Sequence, residues 1–267
     1  MSIDLHYGAT AATGYNQSFG RVSAIMVPKL LQMAHIAEGQ NVLDIGTGTG
    51  IAAEAVANIV GAAGHVTAAD KSAPMLAQAR QRLDAIPNVT FAIEDGQALS
   101  LPGESFDAVL CNMALMLFPE PARGLSEFHR VLKAGGRIAL SVNTVPERSF
   151  VTRIAVAIAR HVPSRAAEAA RYFSLGDPIY LRRLIEAAGF TSINLSTETY
   201  DFSFPSFDAY FQPIEDGLGG TATEYMGLTP DLRRIVRDEV RGELEGTGVP
   251  GAPITVPVEL LFASGQK

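Results

Sequence analysis

From about residue 41 onward, two hydrophobic periods alternate along this chain. Short runs of β-branched and other apolar residues are followed by stretches whose apolar positions recur every three or four residues. That alternation predicts parallel strands joined by helices that cover the sheet. Residues 41–45, 65–69, 89–93, 106–111 and 137–142 read as five strands. Between the second and third, Ser72 is placed to cap a helix with Pro74 in its first turn, and Met75, Leu76, Ala79 and Leu83 then share one face. Before the fifth, Leu125, Phe128 and Leu132 recur at helical spacing, and Gly135-Gly136 reads as the point where that helix stops and turns into a strand.

The pattern changes after Pro146. Helical stretches at about 150–161 and 165–173 precede a further helix at about 179–188, ended by Gly189, which reads as a lid inserted after strand five. Residues 191–204 and 256–263 read as the last two strands. The roughly 50 residues between them carry a charged helical stretch at about 231–245, and a connection of that length is usually a functional cover or a flexible insertion. The expected fold class is α/β, doubly wound, with a mostly parallel seven-stranded sheet and a helical lid.

Composition narrows the function. The chain has 267 residues, enough for one large α/β domain, with 47% hydrophobic and 18% charged residues, as in a globular protein. Lys plus Arg is 21 against 28 for Asp plus Glu, a formal charge of −7, which argues against nucleic acid as a partner. The single cysteine excludes an internal disulfide and cysteine-rich metal sites, and the scattered histidines show no ligand spacing, so no metal is expected. The first residues lack a basic segment followed by an apolar run, and no stretch approaches the roughly 18 to 20 apolar residues of a membrane span. A cytoplasmic protein without a membrane span is expected, as a monomer or homodimer.

The sharpest local signal is Asp44-Ile45-Gly46-Thr47-Gly48-Thr49-Gly50, where the first strand turns into a helix. Glycines there allow positive φ and close approach of a ligand, and the following helix presents free N–H groups. Ile51 stands where a dinucleotide fingerprint needs its third glycine, and no lysine followed by Ser or Thr completes a phosphate loop. What remains is an acidic residue before G-x-G-x-G and a second carboxylate, Asp70, at the tip of strand two, placed to accept from both hydroxyls of a ribose. Structural readings stand beside these: a tight turn for Asp44 and Gly46, a helix cap for Asp70, a plain turn for Asp95, and a small buried residue for Cys111.

Taken with Glu94-Asp95-Gly96-Gln97-Ala98, Leu101-Pro102, Ser105-Phe106-Asp107-Ala108-Val109 and the run from Glu127 to Gly136, these motifs stand in the order of a known family. Over about residues 15–145 the sequence resembles the class I S-adenosylmethionine-dependent methyltransferases. Within them it is similar to the small-molecule branch typified by the menaquinone and ubiquinone C-methyltransferases. The resemblance implies a Rossmann-like methyltransferase fold divided into an N-terminal helical cap (1–40), a cofactor-binding core (41–145), a lid with the final core helix (146–190), and the last two strands with a helical insertion at about 205–252 (191–267).

It also implies S-adenosylmethionine as cofactor and S-adenosylhomocysteine as product. Asp44, Gly46, Thr47 and Gly48 would meet the methionine part and ribose, with Asp70 on the ribose hydroxyls and Lys71 and Met75 nearby. Asp95, Gly96, Gln97 and Ala98 would form the adenine pocket. Cys111, Asn112 and Met113 would lie beside the amino group and sulfonium, and Tyr15 would fold over the cofactor. The expected partner is a small hydrophobic or aromatic methyl acceptor enclosed by the N-terminal segment, the lid and the insertion, whose aromatic residues, including Phe150, Phe173, Phe207, Tyr210, Phe211 and Tyr225, either line the pocket or form the lid's own core. The catalytic residue is unknown, with His161, Tyr172 and Tyr180 as candidates for a base. Two alternatives are a protein of this fold that binds the cofactor without methylating and a nicotinamide-dependent dehydrogenase.

Overall fold

The computed structural model describes Ala12, residues 20–246, Val249 and residues 251–267. Its sheet has seven strands: β1 (Asn41–Ile45), β2 (His65–Asp70), β3 (Val89–Ile93), β4 (Phe106–Asn112), β5 (Leu132–Asn143), β6 (Thr191–Phe204) and β7 (Ile254–Gln266). Their order is β3-β2-β1-β4-β5-β7-β6. The first five run parallel, and β7 is antiparallel to both neighbours. Chain order reverses between β1 and β4, and in open α/β sheets ligands bind in the crevice beyond the C-terminal ends of the strands at such a point. Residues of β1 and β4 are almost wholly buried, as strands covered on both faces must be.

The helices are α1 (Gly20–Ala34), α2 (Ile51–Val60), α3 (Ala73–Leu83), α4 (Pro121–Val131), α5 (Thr152–His161), α6 (Ala166–Arg171), α7 (Pro178–Ala187), α8 (Phe207–Glu215), α9 (Gly220–Met226) and α10 (Pro230–Glu245). In α3 the expected cap forms: Ser72 Oγ accepts from the Met75 N–H at 3.3 Å, and Met75, Leu76, Ala79 and Leu83 are buried. Leu132 differs from its helical expectation. It opens β5, opposite Phe106. The reason is pairing on both sides: Gly135 N–H donates to the Lys267 carbonyl at 3.1 Å, and Lys267 N–H donates to that of Gly136 at 2.9 Å. Gly135 takes φ +79° within this irregular start. Asp107 closes the same end of the sheet, accepting from Asn41 N–H at 2.8 Å and pairing with Lys133 Nζ at 2.8 Å.

β6 has the expected bounds, β7 is longer than the sequence pattern predicts, and both outrun the sheet. β5 stops at Asn143, opposite Leu260, whereas β6 and β7 pair outward to Phe204 and Ile254. The resulting ribbon projects past the C-terminal end of β5 and carries α8 to α10. There, Arg237 and Arg241 of α10 reach Asp208 of α8 at 2.8 and 2.6 Å, and the Arg241 guanidinium lies 4.8 Å over the Phe207 ring. Among its described residues the insertion therefore holds three helices, of which the charged pattern revealed only α10. No helix among the described residues is long and apolar enough to cross a membrane.

Candidate functional site

The loop after β1 is held at fixed points. Thr47 Oγ1 donates to Asp44 Oδ2 at 2.6 Å, and Thr47 N–H donates to the Ala69 carbonyl at 3.0 Å. Gly46 and Gly48 take φ +69° and +56°. Their roles differ. A Cβ on Gly46 would stand 2.4 Å from the Ala114 Cβ, so Gly46 lets the loop close against the segment after β4. A Cβ on Gly48 would meet nothing within 4 Å, so the backbone there borders open space.

Asp70 ties this loop to the tip of β2. Its Oδ2 accepts from Gly48 N–H and its Oδ1 from Ser72 N–H, both at 2.8 Å. Burial raises the Asp70 carboxyl above its ordinary value, against the pull of these backbone bonds. Asp44 is fully buried, and burial, opposed by the Thr47 hydrogen bond and reinforced by Asp70, lifts it to about 6. Its Oδ1 is buried without a well-formed hydrogen bond among the described residues, although the Ala53 N–H lies close enough to favour its charge. A buried carboxylate oxygen so placed is costly until a full hydrogen bond or a cation meets it.

Beside Asp70, Ile93 is its registered partner on β3, and it is 62% exposed. Two residues on, Asp95 Oδ1 accepts from Gln97 N–H and Nε2 at 3.0 and 3.2 Å, while Lys71 Nζ lies 3.9 Å from Oδ2. Burial works against the Asp95 charge, yet the Gln97 bonds, Lys71 and Arg123 hold its carboxyl below the ordinary value. Two half-buried carboxylates with an exposed apolar side chain between them fit a ribose, a purine face and an exocyclic amine. The Asp44 carboxylate and the open face of Gly48 fit the methionine end. These groups are the ones that would hold S-adenosylmethionine. Ile93 escaped the sequence reading, although an apolar residue closing a strand just before Glu94-Asp95 was a usable signal.

The structure places the other expected contact residues variously between core and surface. A Cβ on Gly96 would stand 2.4 Å from the Phe118 ring, so that glycine admits Phe118. Met75 is buried in α3, Lys71 and Ala98 are exposed, and the Gln97 side-chain oxygen accepts from Glu120 N–H at 2.7 Å. Cys111 is buried, and burial, with nearby Asp44, pushes its thiol far up. The Asn112 amide is engaged by α1 and β5, accepting from Ser141 Oγ at 2.7 Å and donating to Ser23 Oγ at 3.1 Å. Tyr15 lies outside the described residues.

After β4 the chain makes a strained turn. Met113 has φ +55°, which an unbranched residue adopts at a cost and which is frequent at functional sites. Its N–H is fixed by Ser141, donating to the carbonyl and Oγ, each at 3.1 Å. Met113 lines a pocket that is partly open to solvent. The walls are chiefly Met116, Leu117, Val151, Ile214, Leu218 and Ala222, with Asn143, Thr152, Tyr172 and Thr221 as the polar members. The next residue, Ala114, is the one that abuts Gly46. One turn thus borders both the glycine loop and the cavity.

Of the three base candidates, Tyr172 lines this cavity. His161 ends α5 on the surface, its Nε2 2.6 Å from Glu239 Oε2, and Tyr180 is 48% exposed on α7. Neither is among the cavity's walls. Aromatics of the lid and the insertion pack on one another: Phe150 with Tyr210 at 5.7 Å, Phe207 with Phe211 at 5.2 Å, and Phe211 with Tyr225 at 5.3 Å. They form the core of the cover, and its aliphatic residues face the cavity. Among the described residues no group of three or more His, Cys, Asp or Glu is placed to hold a metal.

Comparison with known proteins matches residues 42–136 to a methyltransferase domain family. The chain is 34% identical over 170 residues to a demethylmenaquinone methyltransferase of Clavibacter sepedonicus, covering 58% of this chain and 67% of that protein. It is 26% identical over 255 residues to a nocamycin O-methyltransferase of Saccharothrix syringae, covering 89% of each. The crystal structure of a Bacillus halodurans protein assigned to the methyltransferases superposes with a TM-score of 0.64 at 23% identity, over 90% of this chain and 98% of that one, a likeness of fold.

Proposed function

We propose that this chain, which belongs to the class I S-adenosylmethionine-dependent methyltransferases, methylates a small, hydrophobic or aromatic acceptor held in the cavity beneath the lid. The observation that carries this reading is the turn at Met113 and Ala114, which joins the glycine loop to that cavity. When bound, S-adenosylmethionine supplies an electrophilic methyl carbon on a sulfonium that departs as a neutral thioether.

This chain's residues then have to hold, align and keep dry. Asp70 and Asp95 would fix the nucleoside end, and the open backbone of Gly48 with the Asp44 carboxylate would face the methionine end. Met113, Met116, Leu117, Ile214 and Leu218 present an apolar wall that suits an apolar acceptor and excludes water. Holding two reacting atoms in line supplies up to ~7–11 kcal/mol of barrier reduction in well-oriented systems, so positioning alone is a sufficient strategy. Among the cavity's walls Tyr172 is the one ionisable side chain, and it is the candidate to take a proton where the acceptor must lose one. The names of the two relatives point to acceptors as different as demethylmenaquinone and nocamycin, so the cavity's chemistry, and not the family, supports the choice made here.

The test is mass-spectrometric detection of S-adenosylhomocysteine after incubation with S-adenosylmethionine and a panel of aromatic, aliphatic and polar amine acceptors. Turnover confined to the apolar acceptors is expected. Turnover confined to the polar amines would overturn the acceptor assignment.

A further inference from the structure

One polar side chain of the cavity has no hydrogen-bond partner among the described residues. Thr152 is 6% exposed and lines the cavity, and its Oγ1 is buried without a hydrogen-bond partner among the described residues. It is the first residue of α5, a helix of 10 residues whose N-cap, Val151, also lines the cavity and supplies no side-chain cap. The first turn of α5 carries no acidic residue. Within that turn the Ile154 N–H is taken by the Val151 carbonyl at 3.0 Å, and the positive end of the dipole has no acidic side chain of its own helix to compensate it.

The next residue strengthens the same sign. Arg153 is 4% exposed, and its guanidinium donates to the carbonyls of Ser149 and Glu147 at 2.7 Å each. Among the described residues it has no carboxylate partner. A buried guanidinium bonded only to neutral carbonyls leaves a net positive charge in a region of low dielectric. A helix start and an unpaired hydroxyl thus border the pocket, and the next residue in the chain is a buried cation with no carboxylate hydrogen-bonded to it among the described residues.

We propose that the first turn of α5, with the Thr152 hydroxyl, binds an anionic oxygen of the acceptor, Arg153 adding its charge from behind. The acceptor is then an apolar molecule bearing a phenolate, an enolate or a carboxylate. Thr152 is a specificity-determining residue that donates to that oxygen and plays no part in bond making. The identity of the bound molecule as methyl acceptor rests on the methyltransferase reading; the oxyanion preference of the cavity does not.

The experiment is calorimetric titration of the protein, with and without saturating S-adenosylhomocysteine, using 4-nitrophenolate, 4-nitrobenzoate and nitrobenzene at a pH where both acids are ionised. Wild type, Thr152→Val and Thr152→Ser are compared. At least one anion is expected to bind about tenfold or more tightly than nitrobenzene. Thr152→Val loses about tenfold of that preference and Thr152→Ser retains it, the range for one hydrogen bond to a charged group. The preferred anion separates a phenolic or enolic acceptor from a carboxylic one. Nitrobenzene binding as tightly as both anions, no binding of either anion, or a preference unchanged in Thr152→Val would overturn the proposal. Failure of S-adenosylhomocysteine to bind, with the anion preference intact, would instead remove the methyltransferase reading.

Discussion

The Gly48 amide donates to the Asp70 carboxylate at 2.8 Å, and this bond makes the loop after β1 and the tip of β2 one unit. The same carboxylate receives the Ser72 amide, at the start of α3. Asp70 is therefore a structural acceptor as well as a candidate ribose ligand, and the two roles have separate signatures.

Asp70→Ala removes the acceptor from two backbone donors. A cost of about 1–3 kcal/mol in folding stability is expected for donors left without partners, together with a loss of S-adenosylhomocysteine affinity of about tenfold or more. Urea denaturation and calorimetry on the same preparation separate the two effects. Lost stability with unchanged affinity would leave Asp70 a purely structural residue.

Gly46→Ala and Gly48→Ala should diverge. Both place a side chain at positive φ, at roughly 1–2 kcal/mol. Only the first drives a Cβ to 2.4 Å from Ala114, so Gly46→Ala should show much the larger fall in melting temperature. Gly48→Ala should fold and lose cofactor affinity, because its methyl fills the space a ligand would occupy. Equal melting temperatures for the two variants would contradict this division of labour.

Asp44 gives stability a pH dependence of known sign. Its carboxyl is lifted from 3.8 to about 6 by burial, with the Thr47 bond opposing and Asp70 assisting the rise. The folded protein therefore binds this proton more tightly than the unfolded chain, and the stability it gains from the neutral form is lost as pH rises from about 4 through 6. A shift of this size corresponds to about 3 kcal/mol. Asp44→Asn should exceed wild type in stability at pH 7 by an amount that shrinks towards pH 4. A gap that does not change with pH would refute the assignment.

Cys111 is the chain's single cysteine and is 1% exposed, with burial raising its thiol far above the ordinary value. A thiol-disulfide reagent at mildly alkaline pH should react slowly with the native protein and give one equivalent after denaturation. Rapid native reaction would show that the end of β4 opens in solution.

The parts of this molecule that repeat a local rule were legible in its sequence. Ser72 and Pro74 marked the start of α3 because capping is decided within four residues, and the runs that became β1 and β3 carried their own periodicity. Leu132 misled because its helical spacing was genuine, whereas its strand pairing depends on Phe106 and the distant C-terminal residues. The site divides the same way. Asp44, Gly48 and Asp70 lie in a contiguous motif or at the tip of a readable strand. Asn143, Thr152 and Thr221 are brought to one cavity by the lid and the projecting β6/β7 ribbon, a placement no local pattern encodes. His161, by contrast, looked catalytic by residue type, and Glu239, 78 positions away, holds it at the surface.

The glycine loop, Asp70 and Asp95 are the groups that would hold S-adenosylmethionine. The most direct test is calorimetric titration of the purified protein with S-adenosylhomocysteine, with NAD run as a comparison. Micromolar binding of S-adenosylhomocysteine and none of NAD is the expected result. Binding of NAD alone, or of neither by properly folded protein, would contradict the account.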